Sequence, residues 1–190
     1  AYHAVLEDTD ALVGQILAAL GEHRKDTLVV LTSDHGELLG EHGVVGHGTH
    51  VWEPLTHVPL VFNHPQAEAN QLLPAQIGGP ALADLVTYSV GVEHSWPETF
   101  REPLPLVSQR EGQLALSNNG IHKGIWTPKR ESFFSLDTDP GELQVLSDTL
   151  GLTQARSQWE ASTPKAEPLE LVAELPKETQ EQLGALGYVE

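Results

Sequence analysis

Cysteine is absent from the 190-residue sequence. This absence excludes disulfides, thiolate metal sites and cysteine nucleophiles from the chain. No apolar run approaches the roughly 20 residues that a membrane-spanning helix needs, and the N-terminus has neither the basic region nor the apolar core of a signal peptide. We therefore expect no transmembrane segment in this chain.

Basic residues are also scarce: 10 Lys and Arg stand against 27 Asp and Glu, and the formal net charge is −17. Proteins that bind nucleic acid need a basic surface to contact phosphates, so we expect no nucleic-acid partner. An acidic chain can still bind an anionic substrate where a bound cation reverses the local field. The length and the mean hydropathy of −0.22 indicate a soluble globular protein with a real core.

The first hundred residues have the pattern of an α/β unit. Apolar residues recur at three- and four-residue intervals over 2–22, which predicts an amphipathic helix. The continuously apolar run 27–32 predicts a strand buried on both faces, and 58–62 predicts a second, shorter strand. Helix, short turn and buried strand together favour a mostly parallel central sheet. The sequence begins at Ala1-Tyr2 without an initiator methionine, so we expect this chain to be the later part of a longer protein.

The rest of the chain has a different pattern. Residues 80–90 predict a short helix, and the alternating stretches of 104–136 predict a small antiparallel sheet. Residues 157–177 are rich in Glu, Pro and Ala and predict a surface tether, and 178–186 predict a short helix. We therefore divide the chain into an α/β part at 1–100, an antiparallel-sheet subdomain at 101–150, and a tether with a C-terminal helix at 151–190.

A candidate metal site lies where the first strand ends. Asp34 and His35 supply a carboxylate oxygen and an imidazole nitrogen, which are both good ligands for a divalent cation. Strand neighbours point to opposite faces, so the two can share an ion only if the backbone leaves strand geometry, and Gly36 permits that. The alternative is that Asp34 caps the turn and His35 is an ordinary loop histidine, and the dipeptide alone does not decide between them.

The glycine-rich loop that follows contains five histidines within a stretch of 23 residues, namely His35, His42, His47, His50 and His57. Of these, His47 lies between two glycines, which free its imidazole to ligate a metal, contact a transferred group or protonate a leaving group. We interpret His42, His50 and His57 first as surface loop residues, and we keep His50 as a second candidate for substrate contact. We assign the loop carboxylates Glu37, Glu41 and Glu53 at most an orienting role.

Taken in order, these segments resemble the sulfatase family of the alkaline phosphatase superfamily. The resemblance rests on the helix with Tyr2, Asp10 and Gly14, on Thr32-Ser33-Asp34-His35-Gly36-Glu37, on Gly46-His47-Gly48, on Val58-Pro59-Leu60-Val61, on Lys123 to Trp126, on Asp139-Pro140-Gly141-Glu142 and on Leu186-Gly187-Tyr188-Val189. It implies the C-terminal portion of an alkaline-phosphatase-like α/β sandwich. It also implies a periplasmic or extracellular location.

For the site, the resemblance implies that Asp34 and His35 ligate the active-site metal and that His47 contacts the transferred group. Calcium is the metal expected for a sulfatase, while zinc or manganese suits an imidazole ligand better. The family nucleophile, a formylglycine, and the early Asp-Asp pair have no counterpart in this sequence. We expect both in an N-terminal portion of the same enzyme, without which this chain is inactive.

Three functions follow as hypotheses. The first is the C-terminal part of a sulfatase-like hydrolase acting on sulfate esters through metal-assisted group transfer. The second is a phosphoester or phosphonate hydrolase, since sulfate and phosphate esters share tetrahedral geometry. The third is a scaffold or binding subunit without catalytic activity.

Overall fold

The computed structural model describes residues 2–63, 72, 76–92, 106–110, 112–118, 120–148 and 151–162. The chain divides into two compact units, residues 1–157 and 158–190. The predicted C-terminal helix at 178–186 lies outside the described residues. The three-part division at 100 and 150 stays a prediction. Within the described ranges, no helix is both long and apolar enough to cross a membrane.

The first unit begins with helix α1, Tyr2–Ala19, followed by a 3-10 helix at Gly21–Asp26 and strand β1, Val29–Thr32. The segment from 33 to 59 carries the short strands β2, Leu38–Leu39, and β3, Val45–Gly46, a 3-10 turn at Glu41–Gly43, and the four-residue helix α2, Glu53–Thr56. Strand β4, Leu60–Asn63, and helix α3, Gly79–Ser89, come next. The helices expected at 2–22 and 80–90 are therefore confirmed.

Strands β1 and β4 are antiparallel, with Thr32 opposite Leu60 and Val29 opposite Asn63. The expectation of a parallel sheet is wrong for this pair. A parallel neighbour needs a crossover that returns the chain to the other end of the sheet. Here the connecting segment 33–59 leaves β1 and enters β4 at the same end.

The burial of β1 also differs from the prediction. One face of the β1–β4 pair packs through Val30 and Phe62 against the buried residues Ala81 and Leu85 of α3. On the strand itself the last two residues are exposed, and Leu31 is 44% accessible. The strand is therefore covered on one face, because α1 does not close over the other.

A four-stranded antiparallel sheet follows, in the order β5 (Leu106–Arg110), β6 (Gln113–Asn118), β7 (His122–Trp126) and β8 (Glu131–Ser135). This sheet matches the antiparallel sheet predicted for 104–136. Its buried face joins the loop segment in one hydrophobic cluster, which comprises Leu38, Val51, Trp52, Leu55, Ala115, Ile125, Phe134 and Leu136. The main core of the unit therefore lies beneath the segment that carries the candidate site residues.

Helix α4, Leu152–Ser162, replaces the beginning of the predicted tether. The carboxylate of Asp148 accepts hydrogen bonds from the amides of Leu152 and Thr153, both at 3.1 Å, and so satisfies donors that have no partner inside the helix. Leu152 is fully buried and anchors the first turn. Residues 157–162 of the predicted tether are therefore helical, and 163–177 lie outside the described residues.

Candidate metal and substrate site

Asp34 and His35 occupy a bend immediately after β1. The His35 amide donates to Asp34 Oδ1 at 3.0 Å, and Asp34 Oδ2 lies 3.6 Å from His35 Nε2. The Asp34 side chain is 60% exposed and that of His35 is 40% exposed. The bend thus turns two consecutive side chains towards the same solvent-accessible point, as binding of one shared metal ion would require.

His35 has the orientation of a metal-binding imidazole. Its Nδ1 donates to the Gly36 carbonyl oxygen at 2.9 Å, so in the neutral ring the lone pair is on Nε2, which faces Asp34. Ligating histidines usually donate their other ring nitrogen to a carbonyl or carboxylate in this way. Two ligands at metal distances of about 2.0–2.6 Å are separated by roughly 3–4 Å at ordinary coordination angles, so Asp34 and His35 suit a single divalent cation.

By itself, the pair would supply only part of a coordination shell. In the described part of the chain, no group of three or more His, Cys, Asp or Glu side chains is placed to hold a metal ion. A catalytic metal needs about three protein ligands and an open position.

Gly36 is required at the bend by the close approach of α2. Its amide donates to the Leu55 carbonyl oxygen at 2.9 Å. A Cβ built on Gly36 would lie 1.9 Å from the carbonyl oxygen of Pro54. The sequence pattern indicated glycine here for backbone freedom, whereas in the structure the absence of a side chain lets α2 pack directly beneath the bend.

His47 lies next to His35. The two rings are stacked, with centroids 4.1 Å apart and an interplanar angle of 28°. His47 Nδ1 donates to Glu37 Oε2 at 3.1 Å, and the pairing of Leu38 with Gly46 in the β2–β3 hairpin brings these residues together. Because Nδ1 is engaged, Nε2 is the His47 atom available to a substrate. Glu37 Oε1 is buried and has no hydrogen-bond partner among the described residues.

The other loop histidines have different surroundings. His42 stacks on Trp52 with centroids 4.0 Å apart, and His50 lies on the same indole at 6.4 Å with its Nδ1 2.7 Å from Thr49 Oγ1. The side chain of His57 is 81% exposed and lies 3.4 Å from Glu53 Oε2. The structure therefore groups Asp34, His35 and His47, and it places His50 in the ring cluster around Trp52.

Among the loop carboxylates, Glu41 has a structural role of its own. Hydrogen bonds from its own amide and from that of Leu39, the latter at 2.6 Å, lower the pKa of its carboxyl. Glu41 thus stabilises the turn between β2 and β3.

A buried ion cluster, which no sequence pattern indicated, lies beneath the site. Lys123 is 1% exposed, and its ammonium lies 2.8 Å from Glu53 Oε1 and 3.1 Å from Glu142 Oε1. Burial raises the pKa of Glu142, and the attraction of Lys123 opposes this shift without overcoming it. The Asp-Pro-Gly-Glu turn marked the position of Glu142, but no local pattern pairs it with residues 19 and 89 positions away.

Comparison with known proteins connects this site to one family. The sulfatase family model matches residues 1–86. The uncharacterized sulfatase YidJ of Escherichia coli K12 is 36% identical over 72 residues, which are 37% of this chain and 14% of YidJ. Arylsulfatase K of Rattus norvegicus is 31% identical over 120 residues, which are 62% of this chain and 19% of that protein. The chain thus matches less than one fifth of the length of either relative.

Solved structures share the fold. BT1596, a 2-O GAG sulfatase, aligns with a TM-score of 0.55 and 21% identity over 78% of this chain and 38% of its own. BT4656, solved with its substrate D-glucosamine-2-N,6-O-disulfate, aligns with a TM-score of 0.56 and 18% identity over 93% of this chain and 39% of its own. At these identities, the likeness establishes the fold alone.

Proposed function

Because residues 1–86 belong to the sulfatase family, we propose that this chain is the C-terminal part of a metal-dependent hydrolase that cleaves sulfate esters. The observation that supports this most is the grouping of Asp34, His35 and His47. Asp34 Oδ2 and His35 Nε2 are 3.6 Å apart, and His47 stacks on the His35 ring. A cation ligand pair with an adjacent imidazole is suited to binding and cleaving an anionic ester.

Each of the three residues has a role in this proposal. Asp34 and His35 would hold the divalent cation, and a bound cation would supply positive charge against the nonbridging oxygens of the sulfate group. His47 presents Nε2 to the transferred group or to the leaving oxygen, where it stabilises charge or donates a proton. Glu37 holds the His47 ring through Nδ1 at 3.1 Å and so sets the direction of Nε2.

The proposed partner is the N-terminal portion of the same enzyme, which would contribute the remaining metal ligands and the formylglycine. The outer side of the α/β part supports this. Helix α1 has no buried residue, and its apolar stripe includes Ile16, 65% exposed, and Val5, 61% exposed. A cavity of about 330 Å³ lies between α1 and the β1–β4 pair, and most of its lining residues are apolar, among them Leu17, Val29 and Val61. An exposed apolar surface of this kind is typical of a face that packs against further protein.

The test is the activity of a polypeptide that joins this chain to the residues encoded immediately before Ala1. We expect it to hydrolyse 4-nitrophenyl sulfate in the presence of calcium, and to lose activity on chelation. His47→Ala should lower kcat by about 10²- to 10⁴-fold, the usual contribution of a positioned acid or base. Asp34→Ala should raise the calcium concentration needed for half-maximal activity.

His57→Ala is the matched control, because this loop histidine is 81% exposed and contacts Glu53 rather than the site. It should leave turnover unchanged. The 190-residue chain by itself should be inactive, and measurable turnover by it would contradict the proposal.

The imidazole of His35 favours a second candidate, a phosphoester or phosphonate hydrolase, because imidazole suits zinc or manganese better than calcium. Faster hydrolysis of 4-nitrophenyl phosphate than of the sulfate, with zinc or manganese as the activating metal, would replace the first proposal with this one. The absence of both activities from the joined polypeptide would favour the scaffold function.

A further inference from the structure

We propose that Lys123 and Glu142 are positioning residues that hold the Asp34-His35 bend in place through helix α2. This inference rests on the proposed function for the role of the bend, while the mechanical coupling itself can be tested without catalysis. The residues come from the small antiparallel sheet and the turn that follows it, far along the chain from the bend that they support.

The cluster is deeply buried. Lys123 on β7 is 1% exposed and Glu142 is 3% exposed. The Lys123 ammonium contacts both Glu53 and Glu142 and lies 3.3 Å from Thr56 Oγ1. Removing these charges from water costs several kcal/mol for each ion. Such a cost is offset only where the charges are paired closely, so the side chains have little freedom to move.

Glu142 contributes a second bond to the same helix. Its Oε2 accepts from the Glu53 amide at 2.7 Å and satisfies a donor at the start of α2. The backbone of Glu142 has φ = +54°, a left-handed conformation that is unfavourable for a residue with a side chain. We interpret the bonds to Glu53 and Lys123 as the interactions that hold this conformation.

Helix α2 is in turn in direct contact with the Asp34-His35 bend. The Leu55 carbonyl oxygen accepts from the Gly36 amide, and the Pro54 carbonyl lies where a Gly36 side chain would be. On the sheet side, Trp52 immediately before α2 packs edge-on against Phe134 at 5.8 Å. A movement of α2 would therefore displace Gly36 and, with it, the two candidate ligands that precede it.

The coupling is tested by site-resolved amide hydrogen exchange on the chain. Four variants are compared with the wild type: Lys123→Met, Glu142→Ala, Glu142→Gln, and Lys129→Met as a matched control at an exposed lysine. The reporter is the Gly36 amide, and the reference is the amides of the central strands β6 and β7, which report the stability of the sheet.

In Lys123→Met and Glu142→Ala, we expect amide exchange at Gly36 to accelerate about tenfold more than amide exchange in β6 and β7. The reason is that helix α2 is no longer anchored in these variants, so the bend can open locally without breaking the ion cluster. Glu142→Gln should fall between the wild type and Glu142→Ala, because its side-chain oxygen can still accept from the Glu53 amide. Lys129→Met should match the wild type.

Equal acceleration at Gly36 and in β6 and β7 would overturn the proposal, since the cluster would then only stabilise the fold. If Lys123→Met and Glu142→Ala do not fold, Glu142→Gln decides by the same comparison. In the joined polypeptide, Lys123→Met should raise the calcium concentration for half-maximal activity about 10- to 100-fold, as loss of a supporting residue around a metal commonly does. Lack of sulfate-ester turnover in the wild-type joined polypeptide would count against the proposed function alone, because the exchange experiment needs no catalysis.

Discussion

At the scale of single residues, the candidate site depends on which atom of each side chain is already engaged. His35 uses Nδ1 on a backbone carbonyl and His47 uses Nδ1 on Glu37, so both rings present Nε2. One Nε2 faces the Asp34 carboxylate, and the other belongs to the stacked neighbouring ring. The two histidines therefore differ in their surroundings, although both lie in similar glycine-rich stretches.

Gly36 gives a prediction at this scale. Gly36→Ala should destabilise the chain by about 1–3 kcal/mol, because its Cβ would overlap the Pro54 carbonyl oxygen and either the bend or α2 must move. Gly14→Ala is the matched control, since Gly14 lies within α1 with no atom within 4 Å of its added Cβ. The control should gain up to about 1 kcal/mol from helix propensity. Urea unfolding of both variants measures the difference, and equal effects would contradict the close packing of α2 on the bend.

Glu142 predicts a dependence of stability on pH. Because burial raises the pKa of its carboxyl in the folded chain, the folded state binds this proton more tightly than the unfolded state. The resulting stability is fully present below the ordinary carboxyl pKa of 4.5 and is lost as pH rises through the raised value. Glu142→Gln removes this titration. The free energy of unfolding of the wild type, relative to Glu142→Gln, should therefore fall as pH rises above the ordinary carboxyl pKa of 4.5. A difference that stays constant or grows in urea titrations would contradict the raised pKa.

At the scale of elements, α1 and α3 flank the β1–β4 pair but are packed very differently. Both helices are apolar along one side in sequence. Helix α3 buries Leu85 completely against the inner face of the strands. Helix α1 buries none of its residues, and a cavity remains between it and the strands. Sequence periodicity predicts which side of a helix is apolar, but it does not show whether the chain itself covers that side.

This contrast predicts unequal costs of substitution. Ile16→Ser in α1 should change the free energy of unfolding of the chain by less than about 0.5 kcal/mol, because Ile16 is 65% exposed. Leu85→Ala in α3 should cost about 2–5 kcal/mol, because it opens a cavity in a packed core. Urea unfolding of the two variants provides the comparison. A cost for Ile16→Ser similar to that for Leu85→Ala would show that the α1 stripe is covered within the chain.

At the scale of the whole molecule, packing is concentrated on one side of the first unit. The cluster shared by the segment 33–57 and the small sheet is buried, whereas the outer side of α1, β1 and β4 is open. The solved structures that share the fold are more than twice as long as their matched part. The open side is therefore where the proposed N-terminal portion would pack.

Sequence by itself was sufficient for the local features. Periodicity identified α1 and α3, and alternation and turn residues identified the small sheet. These predictions succeed because each pattern expresses a preference of adjacent residues for one backbone geometry and one buried side. The motif around Asp34 and His35 marked the candidate ligands, whose role stays a prediction. The resemblance to the sulfatase family came from the order of such segments, and the family match over residues 1–86 confirmed it.

Tertiary structure alone decided the relations between distant residues. It set the antiparallel pairing of β1 with β4, the stacking of His47 on His35, and the support of the bend by Lys123 and Glu142. Strand register and contacts between residues 70 to 90 positions apart produce no local sequence pattern, because they depend on which surfaces meet when the chain folds. The amino-acid sequence therefore supplied the candidate residues for metal and substrate chemistry, and packing decided which of them lie together and which residues contact them.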